Sequence, residues 1–378
     1  MKLQFFENPI VLLLILLLGF NHPAHPQKKE LKEADYFYKI FSGNIENQPI
    51  IVEVYKTEEG IEGRYHHPEK SHSVFLKKSE KDTSDNGNWY FKETSKNSDS
   101  YWEGSYSGDS FKGSIKRQGN TAIYFELKEE QPEGMTGLSY QHFDKKIPPQ
   151  TEENEDSSYQ ILYIFPVVSG IADNNWINKQ VKKLLNFDED LSFEHNLANE
   201  SEEAEEAFTE TLEELEDPYE VIWEKNSFTT IAYNRNGFLI LKKTETNYMG
   251  GAHGYTGISY RVLDTKNQYT TKLSHLLKID QSELQHLLEK EFRKKYDLSE
   301  DQELNKILFV NKIPLTKNFY FDDNGLYFVY NPYDIAPYSI GNIELFVPFK
   351  KLKNNLTPQF RERIHLKTET RSDSGKII

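Results

Sequence analysis

The chain has 378 residues, of which 37% are hydrophobic and 28% charged, with a formal net charge of −15 and no cysteine. That length supports two or three compact units with a sizeable core, and 24 Phe, 23 Tyr and 4 Trp at a mean hydropathy of −0.72 point to β-rich packing beneath a polar surface. The missing cysteine excludes a lipidated N-terminal Cys, a disulfide framework, thiolate catalysis and Cys-ligated zinc; the acidity argues against nucleic acid, whose affinity comes from Lys and Arg on phosphate.

Residues 1–27 read as an export signal: Lys2 is a thin positive start, Ile10 to Phe20 an apolar run, and Asn21 to Ala24 the small or turn residues beyond it. The run is about half the ~20 residues that a spanning helix needs, so a cleaved signal and a periplasmic or secreted mature chain are expected. Pro23 and Pro26 crowd Ala24, which leaves an uncleaved N-terminal anchor as the alternative. Every later apolar run is too short or too interrupted by charge to cross a bilayer.

Residues 36–130 alternate in short segments broken by Gly, Asn, Asp and Ser, the pattern of antiparallel strands joined by tight turns. Strands are predicted over Pro49–Lys56, Gly60–His66, Ser73–Ser79, Asn88–Glu93, Ser100–Tyr106, Ser110–Lys116 and Thr121–Lys128, giving one small β-barrel or sandwich. Closure is attractive because it removes exposed edges. Residues 131–158, rich in Pro, Gly, Gln, Glu and Asp, are expected to be a linker.

The second unit is expected over 159–356, with helices on an antiparallel sheet, an α+β architecture. Tyr159–Phe165 is strand-like, and Asp173 is placed to cap a helix to Leu185 with Trp176, Ile177, Val181 and Leu184 on one face. Residues 188–217 hold fourteen carboxylates and no Lys or Arg. Within them Ser201–Glu216 reads as a helix with a narrow apolar stripe of Phe208, Leu212 and Leu215, which its own like charges weaken unless tertiary contact or a counter-charged partner holds it. Strands Tyr219–Tyr233 and Phe238–Tyr248 meet at an Asn236-Gly237 turn; a strand over Gly257–Asp264, a helix over Gln281–Tyr296, a hairpin at Asp323-Asn324-Gly325 and a last strand over Asn342–Phe349 follow. Residues 357–378 read as a polar tail.

Three stretches stand out: Ile164-Phe165-Pro166-Val167-Val168-Ser169-Gly170, Gly250-Gly251-Ala252-His253-Gly254, and Asn331 to Gly341 with its Tyr333-Asp334-Ile335-Ala336-Pro337-Tyr338 centre. In this order, and with the acidic helix between the first two, they resemble the RsiV-type extracytoplasmic domain of unknown function with the small domain that precedes it. The match spans about Tyr159 to Leu356. The resemblance implies a domain that binds a partner, in RsiV the enzyme lysozyme, and that elsewhere accompanies peptidoglycan deacetylases. Two departures matter: an N-terminal β-domain replaces the membrane helix and sigma-binding segment, and no deacetylase domain is present, so neither sigma control nor deacetylation is implied.

The candidate binding residues are Gly250, Gly251, His253, Tyr255, Tyr333 and Tyr338. The glycine pair permits positive φ and a tight, rigid loop. His253 either contacts a partner and titrates between about pH 5 and 8 or hydrogen-bonds to pin its own loop. Tyr333 and Tyr338 are either interface anchors with polar tips or core packing. No catalytic residue, metal site or cofactor is assigned. Gly108-Asp109-Ser110-Phe111 reads as a hairpin turn and not a lipase motif; Gly104–Gly108 has Tyr106 where a nucleophile elbow needs serine; and Asp322-Asp323-Asn324-Gly325 lacks the rest of a Ca²⁺ loop. The expected function is an exported envelope binding protein whose most concrete partner is a cationic lysozyme-type enzyme, drawn in by the acidic face. A wall-directed hydrolase or deacetylase accessory and a small-ligand barrel are the alternatives.

Overall fold

The structure, a computed structural model, describes residues 32–33, 36–57, 60–68, 72–79, 88–94, 99–117, 121–149, 155–168, 170, 175–215 and 220–366. The export-signal segment 1–27 and the expected cap Asp173 lie outside the described residues. Among the described residues, no helix is long and apolar enough to cross a membrane.

Strand β1 (Lys32–Glu33) joins the large sheet described below. Strands β2 (Tyr38–Ile45), β3 (Gln48–Thr57), β4 (Gly60–His66), β5 (Ser73–Lys78), β6 (Asn88–Glu93), β7 (Tyr101–Ser107), β8 (Ser110–Lys116) and β9 (Ile123–Glu129) form a closed antiparallel barrel, sealed where β2 meets β9. Period-two alternation turns Phe41, Val52, Val54, Leu76, Phe91, Trp102, Phe111 and Leu127 inward, all buried. These rings fill the middle of the barrel, against a ligand chamber along its axis. Gly113 is needed there: a Cβ on it would lie 2.0 Å from the Glu103 carbonyl oxygen.

The expected linker holds a strand. β10 (Leu138–Ile147) pairs with β11 (Ser158–Val168) over ten residue pairs and buries Leu138, Tyr140, Phe143 and Ile147. Its exposed Asp144 and Lys146, the half-buried Lys145 that pairs with Glu205, and the Pro- and Gly-rich flanks conceal it in the sequence.

The large sheet runs β1-β10-β11-β12-β13-β14-β15, with β12 (Ile222–Arg235), β13 (Phe238–Tyr248), β14 (Tyr255–Asp264) and β15 (Tyr269–Thr270). Only β11 and β12 are parallel, because helices α1 (Trp176–Leu185) and α2 (Phe193–Glu213) supply the crossover between them. Asn175 caps α1 and Ser192 caps α2. α2 therefore begins eight residues before the predicted Ser201, its first turns held by buried Phe193 and Leu197. Both helices cover one face of the sheet, where Tyr159, Ile161, Tyr163, Leu239 and Leu241 meet Val181, Leu184, Leu197 and Phe208.

The alternate residues Phe238, Ile240 and Val262 point to the other face and a second core. That core is closed by a short helix α3 (Leu273–Leu276), by α4 (Gln281–Lys295) and by an antiparallel sheet of β16 (Phe319–Phe321), β17 (Gly325–Tyr330) and β18 (Ile343–Pro348). The expected polar tail is folded as far as residue 366. Thr357 caps α5 (Pro358–Arg363), Phe360 is 2% exposed, and Arg363 pairs with Asp264. A single buried aromatic on a charged six-residue helix leaves no periodicity to read in sequence.

The barrel docks by its side wall. A β-bulge between Ile231 and Tyr233 takes Ala232 out of the ladder. Its freed carbonyl accepts Arg64 Nη1 of the barrel at 2.5 Å. Arg64 also holds Glu53 through Nε at 2.7 Å and Nη2 at 2.5 Å, and Tyr38 donates to the same carboxylate. Asn234 donates to Tyr38 and to the Thr136 carbonyl while accepting from Thr136 N. Arg235 pairs with Asp323, which accepts Ser73 N at 2.7 Å.

Candidate functional site

Two loops meet at one end of the large sheet. The β13–β14 loop turns on Gly250 and Gly251, both at φ +86°, where a side chain would strain the backbone. It presents His253, exposed, with Nδ1 3.0 Å from the Gly254 carbonyl oxygen, and Tyr248 OH donates to Gly251 O at 3.2 Å. The loop after β17 is fixed by its own hydrogen bonds: Asn331 N to Asp334 Oδ2 at 2.7 Å, Asp334 N to Asn331 O and Tyr333 N to Ala336 O, both at 3.0 Å. Tyr333, at φ +72°, is 54% exposed.

The imidazole of His253 stacks on the Tyr338 ring at 3.9 Å between centroids and 14° between planes, and Tyr333 lies 6.0 Å from Tyr338. Tyr255 opens β14 and is 38% exposed; burial first, then the nearby Asp334 and Glu245 carboxylates, push its phenol up. The six candidate residues, eighty-odd positions apart in sequence, thus form one patch. For His253 the loop-pinning hydrogen bond is present, through Nδ1 and the Gly254 carbonyl, and its ring lies at the surface. Tyr333 is exposed and Tyr338 half-buried, and neither belongs to a buried core.

Several neighbours carry no sequence signal of their own. Asn331 Oδ1 accepts Ile258 N at 2.7 Å, and Asn318 accepts Tyr260 N and donates to Ile258 O. The two amides thereby cap the outer edge of β14, which a further strand would otherwise pair with, and they dock the second loop beside the first. Exposed Met249 and half-buried Trp223 extend the patch; a Cβ on Gly250 would lie 4.0 Å from Trp223 Nε1. Trp223 in turn packs 5.5 Å from Phe208 of α2. Glu202, Glu206, Glu210 and Glu213 project outward from that helix.

Behind Tyr255 the helix-covered face is polar. Tyr163, Ser227, Glu245 and Gly257 form one row across four strands. Burial acts to raise Glu245, but Lys243 at 2.7 Å and the Asn247 amide outweigh it and hold the carboxyl below its ordinary range. The hydroxyls of Ser227 and Thr229 are buried without a partner among the described residues. No three His, Asp or Glu side chains among the described residues converge as a metal site would require. Among the described residues no carboxylate is hydrogen-bonded to His253, whose ring stacks on Tyr338.

Comparison with known proteins divides the second unit in two. Residues 152–256 match the family model described as Deacetylase PdaC, and residues 265–350 match that of a protein family of unknown function, DUF3298. No curated protein sequence matches the chain. A DUF3298-family crystal structure from Bacteroides fragilis superposes with a TM-score of 0.53 at 19% identity, covering 61% of this chain and 99% of its own. One from Pseudomonas aeruginosa gives 0.45 at 17% identity, covering 60% and 96%. The likeness to the first is one of fold. The stacked His253 and Tyr338 come one from each matched segment, so the patch exists only where the two segments pack together.

Proposed function

We propose that the chain is an exported cell-envelope binding protein, without catalytic activity, that recognises a protein partner through the patch of His253, Tyr255, Tyr333 and Tyr338. The observation that carries this reading is the stacked pair of rings, His253 exposed and Tyr338 half-buried, held on two hydrogen-bonded loops. Aromatic rings with polar tips, pre-positioned so that little freedom is lost on binding, are the side chains that dominate protein interfaces. The family-model matches support a cell-wall-related accessory or binding role at a coarser level.

The partner we propose is a cationic lysozyme-type enzyme, as the resemblance to the RsiV-type domain implies. Two features support it: the net charge of −15 and the outward carboxylates of α2, linked to the patch through Trp223. An acidic surface speeds encounter with a basic protein and loses that advantage as salt screens it. Titrating the purified chain with lysozyme at about 20 mM and about 150 mM salt tests this, with binding expected at both and faster association at the lower. No detectable binding at either would end the lysozyme version. Turnover of cell-wall material that disappears in His253→Ala would instead overturn the non-catalytic reading.

A further inference from the structure

Two arginines of this chain show how its guanidinium groups meet a carboxylate. Arg64 holds Glu53 through Nε at 2.7 Å and Nη2 at 2.5 Å, and Arg293 holds Glu289 through Nε at 2.9 Å and Nη2 at 2.7 Å. Both use the edge of the fork on which these two donors point the same way. Arg261 of β14 has no carboxylate on that edge. Its Nη1 donates to Gln180 Oε1 of α1 at 3.2 Å, its Nε is buried without a hydrogen-bond partner, and no hydrogen bond among the described residues goes to Nη2. Gln180 is itself fixed, because Thr270 Oγ1 donates to the same oxygen at 3.0 Å. Arg261 is half-buried, and burial pushes its guanidinium below its ordinary range. A charge drawn partly out of water with one neutral acceptor favours the arrival of an anion.

The neighbours of Arg261 on the helix-covered face supply further donors. Ser259 lies two residues before it on β14 and directly across from Lys243 of β13, with Thr229 of β12 across from Lys243 on the other side. Such neighbours stand about 5 to 7 Å apart. Lys243 is buried and gives one N–H to Glu245 at 2.7 Å, which leaves its ammonium two more donors. The acids of this face are already engaged: Glu245 by Lys243 and the Asn247 amide, Glu200 by Lys225. Arg261 is thus the positive charge left over. The buried Thr229 hydroxyl, also without a partner among the described residues, adds a polar group beside Lys243. Ser259 and Arg261 are both half-buried, so a small ion reaches them from solvent.

We propose that Arg261, Ser259 and Lys243 bind a small oxyanion, a carboxylate or a phosphate, with two of its oxygens on Arg261 Nε and Nη2 and with the Ser259 hydroxyl and the Lys243 ammonium as further donors. The site is separate from the patch of His253 and Tyr338, and neither reading depends on the other.

Nuclear magnetic resonance of the full chain tests it through the Arg261 Nε–H signal, which Arg261→Lys identifies by its loss. Sodium acetate and inorganic phosphate are each titrated to about 50 mM against chloride at matched ionic strength, since a millimolar site saturates in that range. A saturable shift with acetate, phosphate or both, and none with chloride, is expected; which of the two moves the signal tells a carboxylate site from a phosphate site. By calorimetry Arg261→Gln should weaken binding at least about tenfold. Arg261→Lys keeps the charge and loses the fork, so it should weaken binding several-fold and serves if Arg261→Gln fails to fold. No saturable shift with either anion, the same shift with chloride, or an unchanged affinity in either folded variant would overturn the proposal.

Discussion

Arg64 is the side chain on which the docking of the barrel turns. Its guanidinium satisfies Glu53 and the bulged Ala232 carbonyl together, with both charged residues under a tenth exposed. Burial acts to raise the Glu53 carboxyl, but the Arg64 charge and hydrogen bonds outweigh it and hold it below the ordinary range. Removing one partner strands the other charge in the interior, so Arg64→Met is expected to cost about 3–5 kcal/mol in denaturant unfolding, and the double replacement Glu53→Met with Arg64→Met much less. Nearby, His66 is 4% exposed, and burial, then Arg235 and Arg64, push its imidazole from 6.5 down to about 4. The folded chain refuses a proton that the unfolded chain accepts. Stability from this group is therefore full above pH 6.5 and falls as pH drops toward 4, by roughly 3 kcal/mol in all. His66→Gln should remove that fall, read as the difference between the pH-stability curves of the two proteins. At this scale the candidate patch was legible as residue types in unusual runs, yet the stacking of His253 on Tyr338 was not, because contact between residues so distant in sequence is set by how two loops pack.

Elements with strong local chemistry could be read directly. The turn at Asn236 and Gly237 takes positive φ at both residues, as its composition predicts, and Asp280 caps α4 where the periodicity begins. Seven of the eight barrel strands were visible because apolar residues recur at alternate positions between turn residues; β2 was not predicted. β10 and α5 were not, since each spreads a few buried side chains among charged ones, and what makes them elements is partners elsewhere: ten pairings with β11 for the one, Asp264 for the other. The β13–β14 loop offers a test of element geometry. A Cβ on Gly251 would meet nothing within 4 Å, so Gly251→Ala isolates the backbone term at φ +86°. It should lower stability by about 1–2 kcal/mol with no packing contribution. An unfolding midpoint equal to that of the parent would mean that the loop relaxes freely and is not the rigid support inferred.

Across the whole molecule, two cores share one large sheet, with helices on one face and the small sheet and α4 on the other, while a third core lies inside the barrel that packs against its side. Composition announced a β-rich first unit and an α+β second, and both are present. How they join was silent in the sequence, because the docking contacts are single side chains, Tyr38, Arg64, Ser73, Asn234 and Asp323, in segments that otherwise look like ordinary strands and turns. The same packing brings the two matched segments together and so creates the exposed ring surface from which function is inferred. The most direct test of that inference is the kinetics of lysozyme binding to Tyr338→Ala and to the parent chain at moderate salt. Loss of a central aromatic anchor should speed dissociation at least about tenfold while leaving the charge-steered association rate unchanged. Equal dissociation rates for the two proteins would contradict the account.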